Sequence, residues 1–207
     1  MKQGRILQLL PVLILALLLI SCSDKKPSLS PLTSDAVILA FGDSLTYGIG
    51  ANRKMESYPA VLSKLTGFQV INEGLSGEIS KEGLERLPDV LHSYNPQVVI
   101  LCHGGNDIIR KLGKVQLKSN LNQMITLIKD SGAEVVLIGV PNFNLLLNVP
   151  DLYLELASEH NIPVESAVLS EIVRNPQLKS DQIHPNAQGY NLMAKRIQQL
   201  LQDSGAL

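Results

Sequence analysis

The chain has 207 residues, of which 45% are hydrophobic and 18% charged, enough for one compact domain with a real core and too few for two comfortable ones. A net charge of −1, with no basic cluster beyond Lys25-Lys26, gives no support to a nucleic-acid partner. Tryptophan is absent and only Cys22 and Cys102 could pair, so stacking platforms are scarce and no disulfide framework holds the domain.

The first 21 residues read as an export signal. Lys2 and Arg5 form a charged start, Ile6 to Ile20 an apolar run broken only by Gln8 and Pro11, and Leu19-Ile20-Ser21-Cys22 closes it. The arrangement resembles a bacterial lipoprotein signal, which implies lipidation of Cys22 and anchoring at the periplasmic face of the cell envelope. Ser23 after it is compatible with sorting to an outer membrane. The alternative is a plain membrane anchor, but the run is short against the ~20 apolar residues of a spanning helix. Loss of Lys2 and Arg5 leaves 16 basic residues against 19 acidic ones, a mature charge of about −3. Residues 22–35, rich in Ser, Pro and Lys, read as the lipidated cysteine and a flexible tether, and residues 36–207 as the domain.

Within the domain, strands and helices alternate. Apolar, β-branched runs predict strands at Val37–Phe41, Phe68–Ile71, Val98–Cys102, Val135–Val140 and, more weakly, Ile162–Val164. Between them, helical periodicity covers Tyr58–Leu65, Ile79–His92, Val115–Lys129, Leu152–His160 and Asn186–Leu201. Leu117, Leu121, Met124, Ile125 and Ile128 form one apolar stripe, and Tyr190, Met193, Ala194, Ile197 and Leu201 another. Regular β-α alternation implies a mostly parallel, five-stranded sheet between two helical layers. Cys102 closes the third strand and reads as a buried, inert thiol.

In such a sheet, sites form at the carboxyl ends of the strands. Phe41-Gly42-Asp43-Ser44-Leu45-Thr46 puts a serine on a strand-to-helix turn, where the neighbouring amides can stabilise an oxyanion. Taken alone, Ser44 reads as an ordinary helix cap, and Asp43 as a turn former. Gly104-Gly105-Asn106-Asp107 and Asp181-Gln182-Ile183-His184-Pro185 change the weighting, because they add an amide donor, a carboxylate and an imidazole base. His103 lacks a nearby carboxylate other than Asp107 and reads as structural or pocket-lining. His92 and His160 sit near helix ends, where a surface cation complements the dipole. No metal-ligand spacing and no phosphate loop occurs, so neither metal nor cofactor is expected.

Gly42-Asp43-Ser44-Leu45, Asn72-Glu73-Gly74-Leu75-Ser76-Gly77, Gly104-Gly105-Asn106-Asp107 and Asp181–Pro185, with Gly83-Leu84-Glu85-Arg86-Leu87-Pro88 between them, resemble the SGNH hydrolases, or GDSL esterase/lipase family. The likeness is greatest to the small periplasmic thioesterase/lysophospholipase/arylesterase branch and runs from Val37 to Leu200. It implies a flavodoxin-like α/β/α sandwich. It also implies a catalytic triad of Ser44 as nucleophile, His184 as base and Asp181 as its orienting carboxylate. The oxyanion hole would be made by the amides of Ser44 and Gly77 and the side chain of Asn106. Gly74 competes with Gly77 for that role.

Two loops at the same edge carry apolar side chains where polar ones are usual. Ile108, Ile109 and Arg110 follow the asparagine, and Phe143 and Leu145 follow strand four. They either shape a substrate groove, with Arg110 or Lys111 near an anionic head group, or start a buried helix. The expected activity is hydrolysis of lysophospholipids, fatty acyl esters or thioesters by a monomer. The rivals are a carbohydrate O-acetylesterase of the envelope and a non-catalytic binding lipoprotein.

Overall fold

The computed structural model describes residues 27–207; the signal and Cys22 lie outside the described residues. β1 (Val37–Gly42), β2 (Gln69–Gly74), β3 (Val98–Cys102), β4 (Glu134–Ile138) and β5 (Val164–Glu165) form one sheet in the order β2-β1-β3-β4-β5, and all of its pairings are parallel. Ile38–Phe41, Val98–Cys102 and Val135–Ile138 are buried on both faces, which is why these strands read as unbroken apolar runs rather than alternating ones.

Around the sheet lie α1 (Ser44–Tyr47), α2 (Tyr58–Thr66), α3 (Ser80–Tyr94), α4 (Gly105–Ile109), α5 (Lys114–Asp130), α6 (Leu152–His160), α7 (Val168–Arg174) and α8 (Ala187–Asp203). α2 pairs with α8 in one layer, while α3, α5 and α6 pack together in the other. The stripes expected on α5 and α8 are the buried faces of those helices. The architecture is the α/β/α sandwich that the alternation predicts.

Three details differ from the sequence reading. β2 runs on to Gly74 because Asn72, Glu73 and Gly74 pair with Ala40, Phe41 and Gly42; as an edge strand it tolerates polar side chains that hide it from an apolar pattern. β5 is only two residues long and starts at Val164. Helix α7 has no counterpart among the predicted elements: it is seven residues long, too short for its period to register. Its start is held by Glu165, whose Oε1 accepts the N–H groups of Ala167 and Val168 at 2.7 and 2.9 Å.

The stretch expected to be tether is fixed to the domain from Leu29 on. Leu29 is buried, and its N–H donates to the Ser204 carbonyl at 2.8 Å, as that of Leu32 does to Ala206 at 2.9 Å. The Ser30 N–H donates to the Glu134 carboxylate at 2.8 Å and the Thr33 N–H to Gln97 at 3.1 Å. Glu134 begins β4 and Gln97 precedes β3, so this segment lies across the amino-terminal edge of the sheet.

The chain turns from β1 toward β2 on one side and takes β3, β4 and β5 to the other. The strand order therefore reverses between β1 and β3, which opens a crevice beyond their carboxyl ends. The segments that leave β1 and β3 at this end carry Ser44 and Asn106.

Candidate active site

The serine turn is built by its neighbours. Asp43 caps α1: its Oδ1 accepts the Leu45 N–H at 3.0 Å. That leaves the Ser44 hydroxyl free of the capping role it would otherwise be drawn into. Burial pushes the Asp43 carboxyl above its ordinary range, against the opposing pull of His103 and of the Leu45 and Gly105 amides. Gly48, at φ 101°, ends the helix after one turn.

Ser44 meets residues 140 positions away. His184 Nε2 lies 3.0 Å from Ser44 Oγ, and His184 Nδ1 lies 2.7 Å from Asp181 Oδ2. A carboxylate only accepts, so the imidazole carries its proton on Nδ1 and offers the Nε2 lone pair to the serine O–H. The other Asp181 oxygen accepts the N–H groups of Ile183 and His184, both at 2.8 Å. Burial raises the Asp181 carboxyl, but these two amides and the imidazole outweigh it and bring it down to about 2. The three-residue spacing works because a turn wraps the backbone amides onto the carboxylate.

The three donors expected of an oxyanion hole, Ser44, Gly77 and Asn106, lie on three separate loops. The Ser44 N–H is the first of a helix, where no preceding carbonyl can reach it. Gly77 sits at φ 83°, a conformation that favours glycine, and a Cβ there would meet only the Arg110 guanidinium, at 3.8 Å. Asn106 donates one Nδ2–H to the Glu78 carbonyl at 2.9 Å, which fixes the amide plane and leaves the second N–H. Gly74, the competing glycine, is occupied elsewhere. Its N–H donates to Asn72 Oδ1 at 3.0 Å, and a Cβ on it would stand 2.1 Å from the Tyr47 nitrogen. It is a packing glycine under α1.

Beside these groups lies an apolar groove of about 900 Å³, lined by Ile108, Ile109, Leu117, Phe143, Leu145 and Ile183 among others. Ser44 does not line it; Asp107 and Ile183 in its wall are the chain neighbours of Asn106 and His184. The loop leucines do not start a buried helix, since Leu145 is 102% exposed and Leu146 71%. Arg110 does not reach into the groove. Its guanidinium donates to the Gly77 carbonyl at 2.9 Å, bridging α4 to the glycine loop. Lys111, Lys114, Arg174 and Lys179 are the cationic residues that line the groove.

Several residues take roles that the sequence did not show. Asp107 ties α4 to α3: its two oxygens accept the Ser80 N–H at 2.8 Å and the Ser80 hydroxyl at 2.6 Å. His103 is fully buried, and its carboxylate partner is Glu78, at 3.0 Å, rather than Asp107. Glu78 also accepts from Arg86, at 2.6 and 2.9 Å. Burial raises the Glu78 carboxyl, and these two partners more than reverse it, holding it below the ordinary range. Arg86 in the Gly83–Pro88 block was the available signal, but its partner lies outside that block. His160 is partly buried against Asn122 at 2.7 Å, and burial lowers its pKa, so it is not the surface cation expected at that helix end. Burial drives the Cys102 thiol well up, which suits an inert core residue. Among the described residues no cluster could hold a metal ion, and no helix is long and apolar enough to cross a membrane.

Residues 40–192 match the GDSL-like lipase/acylhydrolase family. The chain belongs to that family. It is 31% identical over 175 residues to an arylesterase of Vibrio mimicus, which covers 79% of this chain and 87% of that one. It is 32% identical over 176 residues to thioesterase 1/protease 1/lysophospholipase L1 of Escherichia coli K12, covering 79% and 84%. Among solved structures, the psychrotrophic esterase EstA of a Pseudoalteromonas species superposes with a TM-score of 0.72 at 22% identity, over 82% of this chain and 98% of that one. AlinE4, an SGNH-hydrolase family esterase, gives 0.63 at 28% identity, over 84% and 98%. This GDSL protein is an enzyme of the esterase/thioesterase type.

Proposed function

We propose that this GDSL enzyme hydrolyses single-chain acyl esters (lysophospholipids, fatty acyl esters or thioesters) through a Ser44–His184–Asp181 triad. The observation that carries the reading is the unbroken hydrogen-bond chain from Ser44 Oγ through both ring nitrogens of His184 to Asp181. His184 Nε2 takes the serine proton as Oγ attacks the carbonyl, and Asp181 stabilises the imidazolium that results. The tetrahedral oxyanion is received by the Ser44 and Gly77 amides and Asn106. Collapse expels the alcohol or thiol, which takes the proton from His184. Water, deprotonated by the same nitrogen, then releases the acid and restores the serine.

Chain length and head group follow from the groove. Its apolar wall of Ile108, Ile109, Phe143 and Leu145 offers an acyl chain a place to leave water, worth about 0.8 kcal/mol per buried CH₂. The lysines and Arg174 that line the groove give it positive charge, which favours phosphate-bearing substrates. The names of the Vibrio mimicus and Escherichia coli relatives lie in the same range of chemistry.

The lipoprotein signal belongs to the same proposal. An anchor at Cys22 would be joined to Leu29 by six residues, a reach of at most about 25 Å. Leu29–Thr33 cross the amino-terminal edge of the sheet, whereas the triad lies beyond the carboxyl edge, on a domain about 40 Å across. The mouth would then face away from the anchoring bilayer. Single-chain amphiphiles, which leave a bilayer readily, suit that orientation better than two-chain lipids.

A panel of p-nitrophenyl esters from acetate to palmitate, with lysophosphatidylcholine and an acetylated sugar, tests the reading. The expected result is kcat/KM rising from acetate into medium chains, with lysophosphatidylcholine hydrolysed. Strict preference for acetate, with acetate released from the sugar, would replace it by a carbohydrate esterase.

A further inference from the structure

The three loops that carry the proposed oxyanion donors are joined underneath by one buried polar network. Glu78, 6% exposed, follows Gly77; His103, 0% exposed, lies three residues before Asn106. The Gly104 N–H donates to His103 Nδ1 at 3.0 Å, so the ring proton sits on Nε2 and is donated to Glu78 Oε2 at 3.0 Å. A single carboxylate thus connects the Gly77 loop to the Asn106 loop. Arg86 on α3 completes the connection. It grips the Glu78 carboxylate with two N–H groups and donates to the Glu73 carbonyl at 2.8 Å. Its guanidinium also lies 3.5 Å from the Gly42 carbonyl, two residues before Ser44, and 4.0 Å over the Phe41 ring.

The sequence around Arg86 makes room for this network. A Cβ on Gly83 would stand 2.4 Å from His103 Nε2, so the imidazole can lie against α3 only because Gly83 has no side chain. The block Gly83–Pro88, which the triad does not use, thereby finds a purpose: one of its residues admits His103 and another supplies Arg86.

We propose that Arg86, Glu78 and His103 are positioning residues that hold the Ser44, Gly77 and Asn106 donors in register for the tetrahedral intermediate. The inference rests on the assignment of those three donors in the proposed mechanism. Burying charges is costly and returns little net stability compared with hydrocarbon of the same volume. What the network supplies that hydrocarbon would not is directional restraint. Oxyanion donors act through preorganisation, and displacement by a fraction of an ångström weakens them where charge develops.

The test uses the full chain. Glu78→Gln keeps the size and removes the charge that holds Arg86 and His103 together. On p-nitrophenyl butyrate, kcat should fall at least tenfold with KM within twofold of wild type. The Ki of a trifluoromethyl ketone, which forms a tetrahedral adduct on serine, should rise by a similar factor. A role in folding alone would lower the melting temperature without moving kcat and this Ki together. In an Asn106→Ala background, Glu78→Gln should cost less than it does alone, because one of the three donors it positions is gone. A folded Glu78→Gln enzyme with kcat and Ki within twofold of wild type would overturn the inference.

Should Glu78→Gln fail to fold, His103→Leu and His103→Gln carry the test. Leucine should lower kcat, and glutamine, which can still donate to Glu78, should restore most of it. Equal kcat in both would overturn the inference. The two levels of the argument fail differently. Loss of kcat in Asn106→Ala but not in the network variants removes only the positioning role, whereas no kcat effect in Asn106→Ala removes the donor assignment itself.

Discussion

Replacing Asn106 by alanine separates chemistry from binding at this site. The side chain donates one Nδ2–H to the Glu78 carbonyl at 2.9 Å, and its second N–H is the one proposed to meet the oxyanion. Loss of one such donor lowers kcat by ~10²–10³, about 3–4 kcal/mol of transition-state stabilisation. The charge it meets exists fully only in the tetrahedral intermediate, so KM should stay within about twofold. The cost to the fold is the single bond to Glu78, about 1 kcal/mol, or ~2–4 °C in Tm for a domain of this size. The Ser44 and Gly77 amides remain, so residual activity should stand well above that of Ser44→Ala. Asn106→Asp should be worse than Asn106→Ala, because it turns a negative charge on the oxyanion. Steady-state kinetics on p-nitrophenyl butyrate, with melting followed by circular dichroism, measure both quantities. If Asn106→Ala raises KM while kcat stays within twofold of wild type, Asn106 binds substrate and the oxyanion hole lies elsewhere.

His184→Ala should be about as damaging as Ser44→Ala, and the double variant little worse than either, because base and nucleophile act as a unit; additive losses in kcat would refute this. Asp181, lowered from 3.8 to about 2 in the folded chain, contributes stability that is present above about pH 4 and lost as pH falls toward 2. Enzyme held at pH 5 should therefore show full activity when returned to neutral pH, and a loss of the Asp181 contribution already at pH 5 would contradict the assignment. Gly74→Ala would force a Cβ to within 2.1 Å of the Tyr47 nitrogen and should cost about 1–3 kcal/mol. A melting temperature unchanged to within a degree would show that α1 does not press on β2 as described.

The sheet and its major helices were legible because the central strands are buried on both faces and the α5 and α8 stripes are unbroken. The meeting of Ser44, His184 and Asp181 was legible for a different reason: Asp181 and His184 share one turn, and the serine sits where a parallel strand gives way to a helix. The misses share a physical cause, contacts between distant segments. Nothing in Glu78 alone announces that it bridges Arg86 and His103, and His103 was paired with the carboxylate nearest in sequence rather than the one nearest in space. Leu29 and Leu32 look like tether because their partners, the carbonyls of Ser204 and Ala206, lie at the other end of the chain. β2 was cut short at Ile71 because an edge strand needs no apolar side chains to keep its ladder.

The central claim is that Ser44 forms the covalent bond to the acyl group. Reaction with a fluorophosphonate, followed by mass spectrometry of the digested protein, tests it directly. The account predicts one adduct per chain, located on Ser44, with inactivation proceeding in step with labelling and no adduct on a folded Ser44→Ala variant. An adduct on another residue accompanying loss of activity, or a Ser44→Ala variant that keeps more than a few per cent of wild-type ester hydrolysis, would contradict it.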